Sequence, residues 1–472
     1  MTMTTGTQSK RIVWRDALWV LPGVAIGLGL LAVQQLGVHR MIVLAAGLIS
    51  IGLVLVSQHR LRLLLGLFFI TIVLNPDKYL SLVYGCSWSD GINLSAMDVM
   101  AGLIVAVFYL EGHFARLKAR APQTAFFDRQ VDVPMLLLAF AALLSIKNSV
   151  NLTASLYLVF ELVKLYGFYW FFRRLFATLS PISVLVMGLC VLVGVEFVFF
   201  LFELAGRGFA LGGFRFSGTY SNPNAFAQLM APISVLLLAY FVVGPAGRLK
   251  LASLLCSGLS LLMLQGSFSR GGWISAAAAY GLFLVILVLR GRLDFRYLVW
   301  IGLLMGLLGV VFHQQILARL HFDDASAHSR IYLNAIAWHM IQAYPILGIG
   351  ANTFPFVMKE FYYPGLQVHE WLHTVHNQYL LVWSEMGILG IVSFLWLLWG
   401  SIVRAFGNLR GRNDDLSIMG LALALALLAS SIHMLVDMFV APGNLVLMWL
   451  YFAALAHLVA GVKRREELVD VA

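Results

Sequence analysis

The sequence predicts an all-α polytopic membrane protein of about 12–14 transmembrane helices, with one large non-cytoplasmic loop that contains amphipathic helices. Three observations predict it: composition, the recurrence of long apolar runs, and a one-sided distribution of cations. Of the 472 residues, 61% are hydrophobic and only 11% are charged, with a mean hydropathy of +0.88. About a quarter of a soluble domain is charged, so a water-soluble fold would lack polar surface. Apolar runs of about 17–25 residues recur from Ala17 to Val462, the length a helix needs to cross a bilayer with its backbone satisfied.

Spans are read as starting near Ala17, Met41, Leu61, Ser95, Val133, Ser155, Ile182, Pro223, Leu251, Gly272, Tyr297, Asn377, Leu416 and Pro442, fourteen in all. The first run, Leu18 to Leu36, has no small-residue cleavage site after it and is read as a retained helix. The organisation that follows is a cytoplasmic tail over 1–16 and a bundle of about 11 helices over 17–313. A large loop over 314–376, C-terminal transmembrane helices over 377–462 and a cytoplasmic tail over 463–472 complete it.

A net charge of +10 suggests a nucleic-acid partner until its distribution is read. With the N-terminus in the cytoplasm, 22 of the 32 lysines and arginines fall on one side. They lie in clusters such as Arg173/Arg174, Arg248/Lys250, Arg290/Arg292/Arg296 and Arg404/Arg410/Arg412. The positive-inside rule demands such a split, so the excess charge is topological and no nucleic acid is expected. Both termini then lie in the cytoplasm.

Cys86, Cys190 and Cys256 form neither a disulfide framework nor a zinc spacing. No phosphate loop, nucleophile elbow or His-Glu-x-x-His motif is present. No metal and no cofactor are expected.

Most connections are short, but about sixty residues from Gln314 to His376 lack a clear span. A loop of that length is functional or disordered, and this one carries Tyr332, Trp338, Tyr344, Phe354, Phe356, Phe361 and Trp371, enough to be ordered. Ser329 to Ile341 reads as an amphipathic helix, with Ile331, Ala335, Trp338 and Ile341 on one stripe. It would lie on the membrane surface over the bundle; a merely structural cap is the alternative.

Arginine is scarce on the outer face, so those present are informative. Arg215 lies in a Gly-Phe-Arg-Phe-Ser-Gly-Thr-Tyr-Ser-Asn-Pro-Asn segment ending at Asn224, and Arg330 opens the amphipathic helix. Arg270 sits in a very short turn, Ser267-Phe-Ser-Arg-Gly-Gly272, between two apolar helices. A guanidinium gives bidentate hydrogen bonds to phosphate oxygens and stays charged. Backbone N–H groups of Gly271 and Gly272 at a helix N-terminus add to an anion site. Headgroup snorkelling is the competing explanation for each arginine, Arg207 included. At the end of the loop stands His373-Thr-Val-His376-Asn377. A histidine there is structural or, near neutral pH, a proton acceptor.

His376-Asn377 followed by nine residues and Gly387-x-x-Gly390 resembles the signature of the O-antigen ligase and O-antigen polymerase superfamily of bacterial membrane glycosyltransferases (GT-C-like). Asn222-Pro223-Asn224, Ser269-Arg270-Gly271 and Tyr344-Pro345-x-x-Gly348-x-Gly350-x-Asn352-x-Phe354 are similar to that family as well. The resemblance covers about Arg215 to Ile391. It implies a multi-pass protein of the inner membrane, working on the periplasmic side without a metal on glycans carried by undecaprenyl diphosphate. His376 would be the catalytic base. Arg215, Arg270 and Arg330 would bind the diphosphate, with Asn224, Gly271, Asn377, His433 and Asp437 in support. The implied partners are the lipid-linked donor, a glycan acceptor (lipid A–core or a second lipid-linked repeat unit), membrane lipids and, as a candidate, a chain-length regulator. Fourteen spans exceed the twelve usual for ligases, which leans toward a polymerase.

The chemistry is self-consistent. Fixed guanidinium groups stabilise charge growing on a diphosphate leaving group, and a neutral imidazole takes the acceptor proton. A direct displacement would invert the anomeric centre. Among other charges within spans, Glu161 and Lys164 are three apart and can neutralise each other; Glu196 and Glu203 share a span. His433 and Asp437, four apart, would orient or assist the site. Two other classes compete: a transporter or flippase of anionic lipid-linked glycans, and a non-catalytic envelope scaffold. A transporter predicts mid-membrane charges, whereas those here cluster at the outer face.

Overall fold

The computed structural model describes residues 60–75, 77–112, 127–178, 181–206, 215–220, 222–296, 325–361, 374–409, 414–439 and 441–470, with 299, 303 and 310. Two compact units divide the chain, Met1–Leu64 and Leu65–Ala472, and the second holds nearly all described residues. Its helices are α1 (Arg60–Val73, which begins in the first unit), α2 (Ala96–Leu110), α3 (Asp132–Ser145), α4 (Leu152–Thr178), α5 (Pro181–Ala205) and α6 (Pro223–Val243). They continue with α7 (Arg248–Gly266), α8 (Arg270–Leu289), α9 (Ala325–Ala343), α10 (Gln378–Leu395), α11 (Asp415–His433) and α12 (Pro442–Asp470). The chain is an all-α polytopic membrane protein, with one small antiparallel hairpin between α1 and α2, β1 (Asp77–Leu82) and β2 (Gly91–Ser95).

Eight helices are long and apolar enough to cross a membrane among the described residues. They coincide with the spans expected near Ser155, Ile182, Pro223, Leu251, Gly272, Asn377, Leu416 and Pro442. Those expected near Leu61, Ser95 and Val133 form helices of 14, 15 and 14 residues. At 1.5 Å per residue the latter two reach only about 21–23 Å, short of a hydrocarbon core of about 30 Å; α1 is described only from Arg60 onward. The runs near Ala17 and Met41 lie outside the described residues, as does nearly all of the run near Tyr297.

Sequence signals account for the helix ends. Asn222 caps α6, its side chain accepting from Asn224 N with Pro223 at the first turn. Ser269 caps α8, Asn377 caps α10 and Asp414 caps α11 in the same way. Ser95 and Asp98 form a capping box on α2. α6 packs on α7, α8 and α11, while α12 lies against α4 and α11. Accordingly α6, α11 and α12 are the buried members, at 83%, 83% and 89% of their central windows, against 33% for α7 and 39% for α8. α7 turns Ser253, Ser257 and Ser260 inward and leaves Leu251, Leu255 and Leu262 exposed, and α8 leaves Ile274 and Leu289 exposed, apolar faces suited to lipid.

Antiparallel succession brings the β1–β2 hairpin, the 215–223 and 266–270 turns, α9 and the 433–442 turn to one end. The opposite end collects the cations at the end of α4, the start of α7 and the end of α8; there Arg290 Nη2 donates to Leu409 O (2.7 Å) and Arg292 pairs with Asp415 (3.1 Å).

α9 spans the amphipathic helix expected over Ser329 to Ile341. Its buried face is Leu333, Ile336, Ala337 and Met340, packed with Ile349, Phe354, Val357, Met358, Val375 and Leu381. Ile341 is buried too, but Ile331 and Trp338 are 64% and 46% exposed. The helix carries two apolar stripes, and the loop's own core selects the other one.

Candidate active site

Arg215 is held by the segment that leads into α6. Phe216 N donates to Gly266 O (2.9 Å), and the Phe216 ring packs 4.3 Å from Phe200. Thr219 donates to Glu196 through N (3.0 Å) and Oγ1 (2.5 Å), while Ser217 reaches Glu203 (3.4 Å). The two acidic residues of α5 therefore anchor the turn that carries Arg215. Arg215 Nε donates to Ser267 O (3.0 Å) and Nη2 to Asn224 Oδ1 (2.7 Å), which fixes the plane of the guanidinium.

Arg270 is the first residue of α8, after Phe268, whose φ of +49° closes the tight turn. Gly271 sits where a Cβ would fall 2.6 Å from Val436 Cγ2 and 3.0 Å from His433 Nε2. A side chain there would displace the 433–437 turn.

That turn carries the central pair. Gln378 N donates to Met434 O (2.9 Å), Asn377 Nδ2 to Leu435 O (3.0 Å) and Phe439 N to Gln378 Oε1 (2.7 Å). These straps bring His376 Nδ1 to 2.8 Å from Asp437 Oδ1, which also accepts from Met438 N (2.9 Å). Asp437 Oδ2 lies 3.9 Å from Arg330 Nη2 and has no hydrogen-bond partner among the described residues. Burial pushes the Asp437 carboxyl upward, but the hydrogen bond from His376, together with the nearby His376, His433 and Arg330, holds it below the usual carboxylate range. An ionised carboxylate only accepts, so Nδ1 carries the proton. In the neutral ring, the lone pair then resides on Nε2.

His433 and Asp437, expected to orient or assist the site, both lie at its cavity, and the Asp437 side chain bonds His376. His433 is buried against Gly271, with Nδ1 unpartnered among the described residues. Arg215, Asn224, Ser269, Arg270, Gly271, Arg330, His433 and Asp437 all line one cavity of about 100 Å³. Three guanidinium groups and one carboxylate give it positive potential, reinforced by the N-termini of α6 and α8. His376 joins through Asp437, and Asn377 caps α10 with Oδ1 accepting from Tyr379 N (3.0 Å) and Leu380 N (3.1 Å). Arg207 and His373 lie outside the described residues. No group of three or more His, Cys, Asp or Glu is arranged to hold a metal among the described residues.

Sequence reasoning passed over Glu385 and Trp88. Glu385 is fully buried in α10 and accepts from Ser87 Oγ, Phe354 N (2.8 Å), Trp88 Nε1 (2.8 Å) and Asn352 N (2.9 Å). It ties the hairpin and the 345–354 turn to α10. Two residues on, Gly387 has φ +65°, and a Cβ there would fall 2.0 Å from Ile346 O. Gly387 thus admits the backbone of the 345–348 turn. An acid inside an apolar span with no cation one turn away was the available signal.

A multi-pass helical membrane protein with a guanidinium-lined cavity and an imidazole–carboxylate pair at one end is the class that fold and site define. Residues 255–395 match the O-Antigen ligase family model. The matched stretch includes Arg270, Arg330, His376 and Gly387, and excludes Arg215 and Asp437. The chain is also similar to the O-antigen ligase of Salmonella typhimurium (strain LT2), 27% identical over 184 residues, which cover 36% of this chain and 43% of that protein. The match therefore spans less than half of that curated relative.

Proposed function

We propose that this chain is a membrane glycosyltransferase that moves a glycan from an undecaprenyl-diphosphate donor to an acceptor sugar hydroxyl at the periplasmic face of the bacterial inner membrane. The observation that carries this reading is the meeting of Arg215, Arg270 and Arg330 with Asp437 around one cavity, with His376 on Asp437. The arginines take the diphosphate; the Arg215 guanidinium, its plane held by Asn224 and Ser267, is pre-organised for its oxygens. His376 Nε2 takes the acceptor proton, and Asp437 stabilises the imidazolium. The acceptor oxygen bonds to the anomeric carbon as the carbon–oxygen bond to the diphosphate breaks. The electron pair leaves on the diphosphate, where the guanidinium groups meet the growing charge. Attack opposite the leaving group inverts the anomeric centre. The imidazolium then returns its proton to solvent.

The acceptor is lipid A–core in a ligase, or a second lipid-linked repeat unit in a polymerase. The names of the family and of the Salmonella relative favour the ligase arm. The test is transfer by purified protein in nanodiscs, offered each acceptor in turn. His376→Ala should lower transfer by about 10²–10⁴-fold while donor binding stays near wild type, because ground-state affinity comes from the arginines and the lipid. His373→Ala should be tolerated, and EDTA should leave the rate unchanged. A wild-type rate in His376→Ala would remove the base assignment.

A further inference from the structure

A second cavity, of about 620 Å³, meets the first at Asp437, which lines both. Its volume falls within the roughly 300–1,000 Å³ of ligand pockets. Its walls include Trp88, Asp90, Asn75, Glu161, Asn222 and Gln228, and none of the described residues that line it is a lysine or arginine. Glu161 is neutralised by Lys164 at 2.8 Å, which leaves Asp90 and Asp437 to set the potential. Among the described residues the charge is thus partitioned: three guanidinium groups line the first cavity, while in the second Asp90 is the carboxylate outside an ion pair, Asp437 itself being held by His376 and Arg330. A diphosphate suits only the first; an uncharged, hydroxyl-rich group suits the second.

Trp88 makes the second cavity specific. Its backbone N donates to Asn352 Oδ1 (2.7 Å) and its indole Nε1 to Glu385 Oε2 (2.8 Å), so the residue is held at both backbone and ring. The indole packs against the loop's apolar core and also borders the cavity. A rigid aromatic face beside carboxylates and carboxamides matches a sugar ring, which presents a C–H face and a rim of hydroxyls. Asp90 Oδ1 accepts from Cys86 N (3.0 Å), and its other oxygen has no partner among the described residues. Cys86 lines the same cavity, and burial with Asp90 and Glu385 nearby pushes its thiol up to about 12, consistent with negative potential there.

We propose that this cavity seats an uncharged sugar of the acceptor, stacked on Trp88 and hydrogen-bonded to Asp90, with its reacting hydroxyl presented to the Asp437–His376 pair. The assignment rests on the transfer reading and deepens it. It places acceptor and leaving group on opposite sides of Asp437, as in-line displacement requires.

The test measures acceptor and donor KM separately in nanodiscs with the acceptor that supports transfer. Trp88→Ala should raise acceptor KM about ten-fold and leave donor KM unchanged. Trp88→Phe keeps a ring but loses the bond to Glu385, and should retain most acceptor affinity. Asp90→Asn should raise acceptor KM several-fold. An acceptor whose terminal sugar is replaced by a uronic acid should be used poorly by wild type and better by Asp90→Asn. Absence of transfer by wild type from any lipid-diphosphate donor would overturn this assignment together with the transfer reading. Normal transfer with an unchanged acceptor KM in folded Trp88→Ala, or a rise in donor KM alone, would overturn this assignment and leave the transfer reading standing.

Discussion

Glu385 and Asp437 are both buried carboxylates at the same end of the bundle, 0% and 3% exposed, yet their surroundings differ. Each Glu385 oxygen accepts two hydrogen bonds, from Ser87, Phe354, Trp88 and Asn352, which fills the roughly four acceptor positions of a carboxylate. Asp437 spends Oδ1 on His376 and Met438 and leaves Oδ2 without a hydrogen bond among the described residues, at the meeting of two cavities. A saturated carboxylate holds structure together. One with an open oxygen beside an imidazole is poised for a ligand or a proton, and the buried unmade bond marks the place. The comparison therefore predicts that the two residues fail differently.

The largest effect is expected at Asp437. Asp437→Asn keeps the shape but removes the charge that fixes the Nδ1–H tautomer and stabilises the imidazolium. Transfer should fall by roughly 10²–10⁴-fold while donor binding and apparent Tm change little. If the variant instead unfolded as readily as a Glu385 variant, the distinction between the two carboxylates would collapse.

Glu385 should fail in stability. Glu385→Ala leaves four donors without their acceptor, each costing about 1–3 kcal/mol when unmet. Relaxation limits the total to roughly 3–5 kcal/mol, as for a broken buried pair. Glu385→Gln should be milder. The measurement is apparent Tm in detergent beside kcat: a Glu385→Gln protein with normal Tm and lost kcat would place Glu385 in the chemistry.

Arg270→Lys sharpens the comparison on the other side of Asp437. The charge stays but the fork is lost, so donor binding should weaken by about 1–2 kcal/mol, roughly ten-fold, with acceptor KM unchanged. Near-normal transfer by Arg270→Ala would reduce this arginine to a headgroup anchor.

Legibility in the sequence followed the range of the interactions. Hydropathy and the cation split are local, and they gave the fold class and the eight long spans. Arg215, Arg270, Arg330 and His376 stood out because charge at an apolar boundary is costly, so their positions could be read without knowing their neighbours. Partner choice could not be read so. Asp437 is one turn from His433 in sequence but bonds His376, 61 residues away, because straps from Asn377 and Gln378 fold the two turns together. Trp88 was silent for the same reason, its partner Glu385 being 297 residues away. The loop helix was placed correctly, but its buried stripe was set by a core assembled from Ile349 to Leu381.

The smallest expected effect concerns acid stability, and its sign follows from the partners of Asp437. Their hydrogen bond and charges hold its carboxyl below the usual range in the folded chain. The unfolded chain would then bind a proton, at about pH 3.9 and below, that the folded chain does not. Stability from this group is present above that value and is lost as pH falls through the folded one. The gap in apparent Tm between wild type and Asp437→Asn should stay constant at neutral pH. It should change on acidification in the direction that removes the wild-type advantage, with scans at one fixed rate because membrane proteins unfold irreversibly. Glu385→Gln, scanned beside it, controls for the general loss of stability in acid. A wild-type advantage that grew as pH fell would mean that burial outweighs His376 and Arg330, and that Asp437 is not held ionised for the imidazole.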